Sequence, residues 1–225
     1  MQARPGRLNP GQRRALAEMG IDVWVPAVPA PGVEAPPVGS DWQALQHAVS
    51  NCHACGLAAT RTQTVFGVGD TNAHWMIIGE APGAEEDRQG EPFVGRAGQL
   101  LNEMLSAAGL AREQVFIANI LKCRPPANRD PGVEEVAACA VHLQRQIELL
   151  QPRLILAVGR IAAQSLLQTT TPVGRLRGRV HEYAPAGLPL VVTYHPAYLL
   201  RSPGQKRRAW EDLCLARQTV APLAA

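Results

Sequence analysis

A three-layer α/β/α sandwich around a central four-stranded parallel sheet is the fold that this 225-residue sequence predicts. Three observations lead there. Four short, mainly apolar runs recur along the chain, as strands do when helices cover both faces of a sheet. Helical patterns separate these runs, and strands alternating with helices imply right-handed crossovers in a layered fold. Finally, the stretch from Ile77 to Leu101 passes from a strand end through a polar loop into an amphipathic helix. That order makes a ligand site at the carboxyl end of a parallel strand.

Taken in order, the chain opens with a short helical candidate from Gln12 to Met19, closed by Gly20. Residues 21–40 are rich in Pro, Ala and Gly and read as a linker unable to bury a core, either a tail or a DNA-contacting arm. Ser40 or Asp41 can cap a helix carrying Trp42, Leu45 and Val49, which delivers Cys52 and Cys55 at its end. The first strand is Trp75 to Gly79. The loop after it is dense in Gly, Pro and carboxylates, yet it places an aromatic, Phe93, between Pro92 and Val94. An acidic surface loop would explain the charges but not that ring, so the loop is expected to carry a site. Ala97, Leu100, Leu101, Met104, Leu105 and Ala108 then share one helical face, and Gly109 supplies the stop.

The second strand is Val115 to Asn119. A helix with Asp130 as cap and Pro131 in first position carries Val136, Ala140, Leu143, Ile147 and Leu150 inward. Strand three is Leu154 to Gly159, followed by a helix from Ile161 to Leu167. A hairpin or turn is expected over Gly174 to Val180. Strand four is Leu190 to Tyr194, and a last helix spans Gln205 to Arg217. The expected organisation is an extension over 1–40, a single domain over 41–217 and a tail over 218–225.

Composition narrows the function. Net charge is only +3, but the segment from Arg160 to Arg208 holds eight basic residues against Glu182 alone. That segment carries +7 and the remainder −4, which makes a polyanion a plausible partner. No apolar run approaches a membrane span, and no signal peptide is visible. Five cysteines, an odd number, do not form a secreted disulfide framework, so a reducing, cytoplasmic compartment is expected.

The cysteines suggest a metal centre instead. Cys52 and Cys55 form a C-x2-C pair, and Cys123 and Cys139 form a wider one. Four thiolates can close a tetrahedral zinc site or hold a four-iron cluster, and the wide second pair leans toward iron–sulfur. Cys139, with Ala and Val around it, can also be read as core; Cys214, on the last helix, is read as core.

The strand ends supply the remaining chemistry. Glu80, Asn119 and His195 each follow or close a different strand, and in a parallel sheet they lie on one side. A pocket with the Phe93 ring, the Asn119 amide and the His195 imidazole suits a nucleobase, because aromatic faces stack on bases and an amide reads a base edge. The acceptor and donors of Asn match N3–H and O4 of uracil, whereas cytosine presents the opposite pattern.

These pieces resemble the family 4 uracil-DNA glycosylases, the iron–sulfur branch of that superfamily. The matching stretches are GEAPGAEED (79–87), GEPFVGRAGQLL (90–101), NILKCRPPANRDP (119–131) and HPAYLLR (195–201), and the four cysteines fall in the family's order. The resemblance covers about residues 41–217. It implies hydrolysis of the N-glycosidic bond of uracil in single- or double-stranded DNA, opening base-excision repair, by a monomer with no membrane partner. It further implies a 4Fe-4S cluster of structural role on Cys52, Cys55, Cys123 and Cys139. Phe93 would stack on the flipped uracil, Asn119 would read its edge, the backbone at Ala81 would close over it and His195 would bond O2. Glu80, with Asp87 second, would position water or stabilise the sugar cation. Leu199, Leu200 and Arg201 would lie near the DNA, and Arg175, Arg177 and Arg179 would hold phosphates. No KRRIH-type insertion follows Cys123, so turnover is expected rather than covalent trapping. The alternatives are a non-catalytic iron–sulfur DNA-binding module on the same scaffold and a flavodoxin-like electron carrier, whose phosphate-cradling loop EAPGAEED is too acidic to be.

Overall fold

A computed structural model describes residues 42–220. The helix expected over Gln12 to Met19, the linker over 21–40, the cap at Ser40 or Asp41 and the end of the tail, 221–225, lie outside the described residues. The described elements run α1 (Trp42–Ser50), β1 (Val68–Gly69), β2 (Trp75–Gly79), α2 (Ala84–Gln89), α3 (Arg96–Ala107) and β3 (Phe116–Asn119). They continue as α4 (Val133–Leu150), β4 (Leu154–Val158), α5 (Arg160–Leu167), α6 (Val173–Leu176), β5 (Val180–Tyr183), β6 (Leu188–Thr193), α7 (Pro196–Arg201) and α8 (Lys206–Val220).

The sheet order is β1-β3-β2-β4-β6-β5. The inner four strands are parallel, as their apolar runs predict, and β2, β3 and β4 are buried along their whole length. The sheet is wider than expected because β1 and β5 pair antiparallel to its edges. These two were invisible in sequence for a physical reason. β1 is two residues long, and β5 is a half-exposed edge without the continuous apolar run of a buried strand.

Alternate strand residues feed opposite layers. Met76, Ile78, Phe116, Ala118, Ile155, Ala157, Leu190 and Val192 meet α4 and α5 through Leu143, Ile147, Ala162 and Leu166. Trp75, Ile77, Ile117, Leu154, Leu156, Val158 and Val191 meet α3 and α8 through Leu101, Leu105, Leu213 and Ala216. Each such Leu or Ile contributes about 1.5–3 kcal/mol by leaving water. Gly109, at φ 78°, stops α3 as its position predicts.

Three local expectations change. Asp130 and Pro131 do not open α4: its cap is Gly132, whose N–H donates to Glu135 Oε2 at 2.7 Å. Asp130 turns instead to Arg160, at 2.6 Å. The span expected as a hairpin or turn holds α6, a bend over 177–179 and then the start of β5. The acidic loop contains a helix, α2, whose first turn carries Glu85, Glu86 and Asp87, where carboxylates favour the helix dipole.

The topology places the site. β2 leads to β3 on one side, and the chain then crosses back to β4 on the other, so the connections diverge between β2 and β4. A crevice opens outside the carboxyl ends of strands at such a point. Gly79 pairs with Asn119 and Val158 with Thr193, which brings Glu80, Asn119, Gly159 and His195 to one edge.

Candidate functional site

A cavity of about 720 Å3 opens at that edge, with Glu80, Ala81, Phe93, Asn119 and His195 in its wall. Each comes from a different constraint. Glu80 and Ala81 follow β2. Asn119 ends β3 and is 2% exposed. His195 is the N-cap of α7, with Pro196 in the first helical position.

Phe93 is held in the left-handed backbone region, at φ 54°, which a bulky side chain occupies only when its surroundings enforce it. Arg112 Nη2 donates to Pro92 O at 2.6 Å and Nη1 to Phe93 O at 3.4 Å. Glu86 accepts from the N–H groups of Val94 and Gly95 at 3.1 and 3.3 Å, and from Gly83 N at 3.1 Å. Gly98 lies against the same loop: a Cβ there would fall 1.7 Å from Phe93 O. The ring therefore stands where an aromatic can face the cavity. Gly79 lets it approach Asn119, since a Cβ would lie 2.4 Å from Asn119 Oδ1 and 2.6 Å from Phe93 Cζ.

The polar groups have defined states. Asn119 Oδ1 is buried and without a hydrogen-bond partner among the described residues, an arrangement a fold rarely keeps unless something else fills it. His195 Nδ1 accepts from Ala197 N at 3.1 Å, which places the imidazole proton on Nε2 and makes that nitrogen a donor. Burial, and then the Arg201 cation, push the His195 pKa down to about 4, so the ring is neutral at ordinary pH. Burial and the nearby Asp130 raise the Glu80 pKa, and Arg160 lowers it in part. A neutral donor, an unpaired acceptor, an aromatic face and a carboxylate thus share one crevice. This set can bind a planar heterocycle, stabilise negative charge building on it and orient a water.

Other expected residues lie elsewhere. Asp87 is 4% exposed, and both its oxygens accept from Thr62 N, at 3.0 and 3.1 Å, so its carboxylate fixes the chain there rather than facing the cavity. Arg177 is not free for phosphate: its side chain is 13% exposed, its Nε donates to Asp212 Oδ2 at 3.0 Å and Nη2 donates to Arg208 O at 2.6 Å. Leu199 is buried at 1% and anchors α7 in the core; its neighbours Tyr198 and Leu200 are the exposed ones. Arg175, Arg179 and Arg201 are exposed, and Arg201 stands in the cavity wall. Sequence reasoning missed Glu86, Asn128, Arg160, Tyr194 and Tyr198, all of which line the cavity. The only signal for Glu86 was its place three residues after Gly83, a reciprocal capping spacing.

Cys52, Cys55, Cys123 and Cys139 share a second, small cavity walled by Val49, Ala54, Ala58 and Ala138. Cys214 lies apart from it, half-buried on α8. Arg61 Nη1 donates to Cys123 Sγ at 3.1 Å, and Lys122 N to Cys139 Sγ at 3.3 Å. Burial pushes the Cys139 thiol up to about 11. Among the described residues no three His, Cys, Asp or Glu side chains gather as a single ion requires. A lone zinc draws its sulfurs to about 2.3 Å from one point. Four thiols around one small cavity, which Arg61, Lys122 and His142 also line, are of the donor type that could hold a thiolate-ligated metal group.

Residues 66–215 match the family described as the uracil DNA glycosylase superfamily. The chain is 46% identical over 171 residues to the type-4 uracil-DNA glycosylase of Archaeoglobus fulgidus, covering 73% of this chain and 85% of that one. To the type-4 uracil-DNA glycosylase of Pyrobaculum aerophilum it is 44% identical over 181 residues, 78% and 92% of the two chains. To the type-5 uracil-DNA glycosylase of Thermus thermophilus it is 34% identical over 149 residues, 58% and 68% of the two.

Proposed function

The chain belongs to the uracil-DNA glycosylase superfamily, and from that premise we propose how its cavity releases uracil from DNA. The observation that carries the reading is the buried, unpartnered Asn119 Oδ1 opening into a cleft beside the Phe93 ring and the His195 imidazole. A uracil extruded from the strand stacks on Phe93. Its N3–H donates to Asn119 Oδ1, and its O4 accepts from Nδ2. The backbone at Ala81 closes over the ring.

The bond that breaks is N1–C1′, and its electron pair leaves on the base as a uracil anion. His195 Nε2–H donates to O2 as that charge develops, and the imidazole stays neutral throughout. One such preorganised donor is worth about 2.7–4 kcal/mol. Glu80, at the mouth of the crevice, orients the water whose oxygen joins C1′; its carboxylate takes the water's proton and stabilises the sugar cation. The leaving uracil anion takes a proton from solvent and Glu80 returns its proton to solvent, so the products are free uracil and an abasic site. Arg175, Arg179 and Arg201 hold phosphates, giving affinity without sequence preference, and exposed Leu200 enters the gap left by the base.

Cys52, Cys55, Cys123 and Cys139 would hold a 4Fe-4S cluster. When bound, that group supplies thiolate–iron bonds that tie the end of α1 to the segment after β3 and to α4. The glycosylase unit is assigned to residues 41–217, acting as a monomer. No described helix is long and apolar enough to cross a membrane, and cysteines held as cluster thiolates suit a reducing compartment such as the cytoplasm.

An end-labelled oligonucleotide with a single uracil tests the reading. Incubation followed by alkaline cleavage is expected to yield a strand break at the uracil and none at cytosine. Retained binding with no abasic product at stoichiometric protein would leave a DNA-binding module instead.

A further inference from the structure

Lys122 is unusual for a lysine. It is 1% exposed, and neither of the groups its ammonium bonds is a carboxylate. Its Nζ donates to Asn119 O at 3.0 Å and to Gln146 Oε1 at 2.6 Å. Gln146 is itself fully buried, and its Nε2 donates to Phe66 O at 2.9 Å, so the amide oxygen is fixed toward the ammonium. The Lys122 backbone N–H donates to Cys139 Sγ. Ala81, in the wall of the uracil cavity, packs against the same small apolar cluster as Cys55, Cys123 and Cys139.

Lys122 lines the cysteine cavity beside Cys123 and Cys139, whose thiolates would offset part of the cost of burying an ammonium. Both of its side-chain hydrogen bonds, however, are made away from the sulfurs. The group that it holds is the carbonyl of the very residue whose side chain reads the base, at the strand end where the ladder of β3 stops. We propose that Lys122 is a positioning residue: its ammonium clamps the Asn119 backbone to Gln146 on α4, aiming the Asn119 side chain, while its backbone ties the same turn to the cysteine cavity. The idea rests on the reading of Asn119 given above. Cysteine cavity and base-reading amide thus share one strut.

A double-mutant cycle with a spectroscopic readout tests it. Lys122→Met is expected to lower single-turnover uracil release roughly tenfold or more with Asn119 present, and by less than about twofold in an Asn119→Ala background, because coupled residues are not additive. In protein labelled with 15N-asparagine, the Asn119 side-chain amide resonance is expected to move in Lys122→Met. Equal losses in both backgrounds, or an unmoved resonance, would overturn the proposal. Lys122→Gln, which keeps an N–H donor for the Asn119 carbonyl, is expected to leave the resonance in place and release within about threefold of wild type. If the Met variant does not fold, that variant decides: a shifted resonance in folded Lys122→Gln removes the clamp. Absence of uracil release in the wild type would sink the glycosylase reading, while the resonance would still test the strut.

Discussion

The rings of Phe93 and His195 lie 5.7 Å apart, centre to centre, with planes 30° from parallel. One comes from the loop before α3 and the other from the cap of α7, so this stack joins the two halves of the crevice. Offset packing of this kind fixes each ring's plane. The ring proposed to stack on a base and the nitrogen proposed to donate to it are therefore held as one unit.

His195→Ala removes the donor, and single-turnover uracil release is expected to fall about 10²–10³-fold. Phe93→Leu is expected to lose release too, while binding of uracil-free DNA stays near wild type. A His195→Ala enzyme with full activity would remove the assigned role.

Acid dependence follows from Glu80, whose pKa lies above the usual carboxylate value because of burial and Asp130. If its carboxylate must be ionised, release falls as pH drops through that raised value. Asp130→Asn removes a raising charge and frees Arg160, so the acid limb is expected to move to lower pH. Arg160→Gln is expected to move it higher. A limb that ignores both changes would clear Glu80 of this role.

Stability has its own acid signature through His195. Its folded pKa of about 4 lies below the ordinary 6.5, so the unfolded chain takes up that proton first. The histidine's contribution is complete above pH 6.5 and is lost as pH falls through 4. Urea unfolding between these limits is expected to show a shallower fall in His195→Gln, by up to about 1.4 kcal/mol per pH unit.

Arg177 and Arg201 are expected to separate. Arg177→Ala leaves Asp212, fully buried, without its partner and should cost about 3–5 kcal/mol of stability, read as a lower unfolding midpoint. Arg201→Ala should leave stability nearly unchanged and reduce the salt slope of DNA binding by about one.

Gly98→Ala would press a methyl into Phe93 O. The expected cost is about 1–3 kcal/mol from overpacking, with a loss of uracil release larger than any loss of DNA affinity. Iron analysis of protein purified without oxygen is expected to give roughly four irons per chain, and Cys139→Ala to lose both the iron and thermal stability; zinc in place of iron would remove the cluster.

Much of this architecture could be read from the sequence, and the failures have causes. The four inner strands were legible because burial on both faces leaves unbroken apolar runs such as Trp75 to Gly79. Asn119 and His195 were legible because strand ends are where an α/β sheet gathers its polar groups, and Phe93 because an aromatic stands out in a loop of Gly, Pro and carboxylates. Arg177 and Leu199 misled for one reason: a charge or an apolar residue near a site reads alike whether it faces solvent or its own fold. Only packing reveals Asp212 opposite the first and the core beneath the second. Glu86 escaped because its work is done on backbone N–H groups, which leave no mark in residue type. Lys122 escaped because a lysine is assumed to face water.

The most direct measurement is a crystal structure of the protein soaked with uracil. The account predicts the ring lying on the Phe93 face, N3 within hydrogen-bonding distance of Asn119 Oδ1 and O2 beside His195 Nε2. Uracil bound elsewhere, or bound in this cavity with Asn119 Oδ1 still unpartnered, would contradict it.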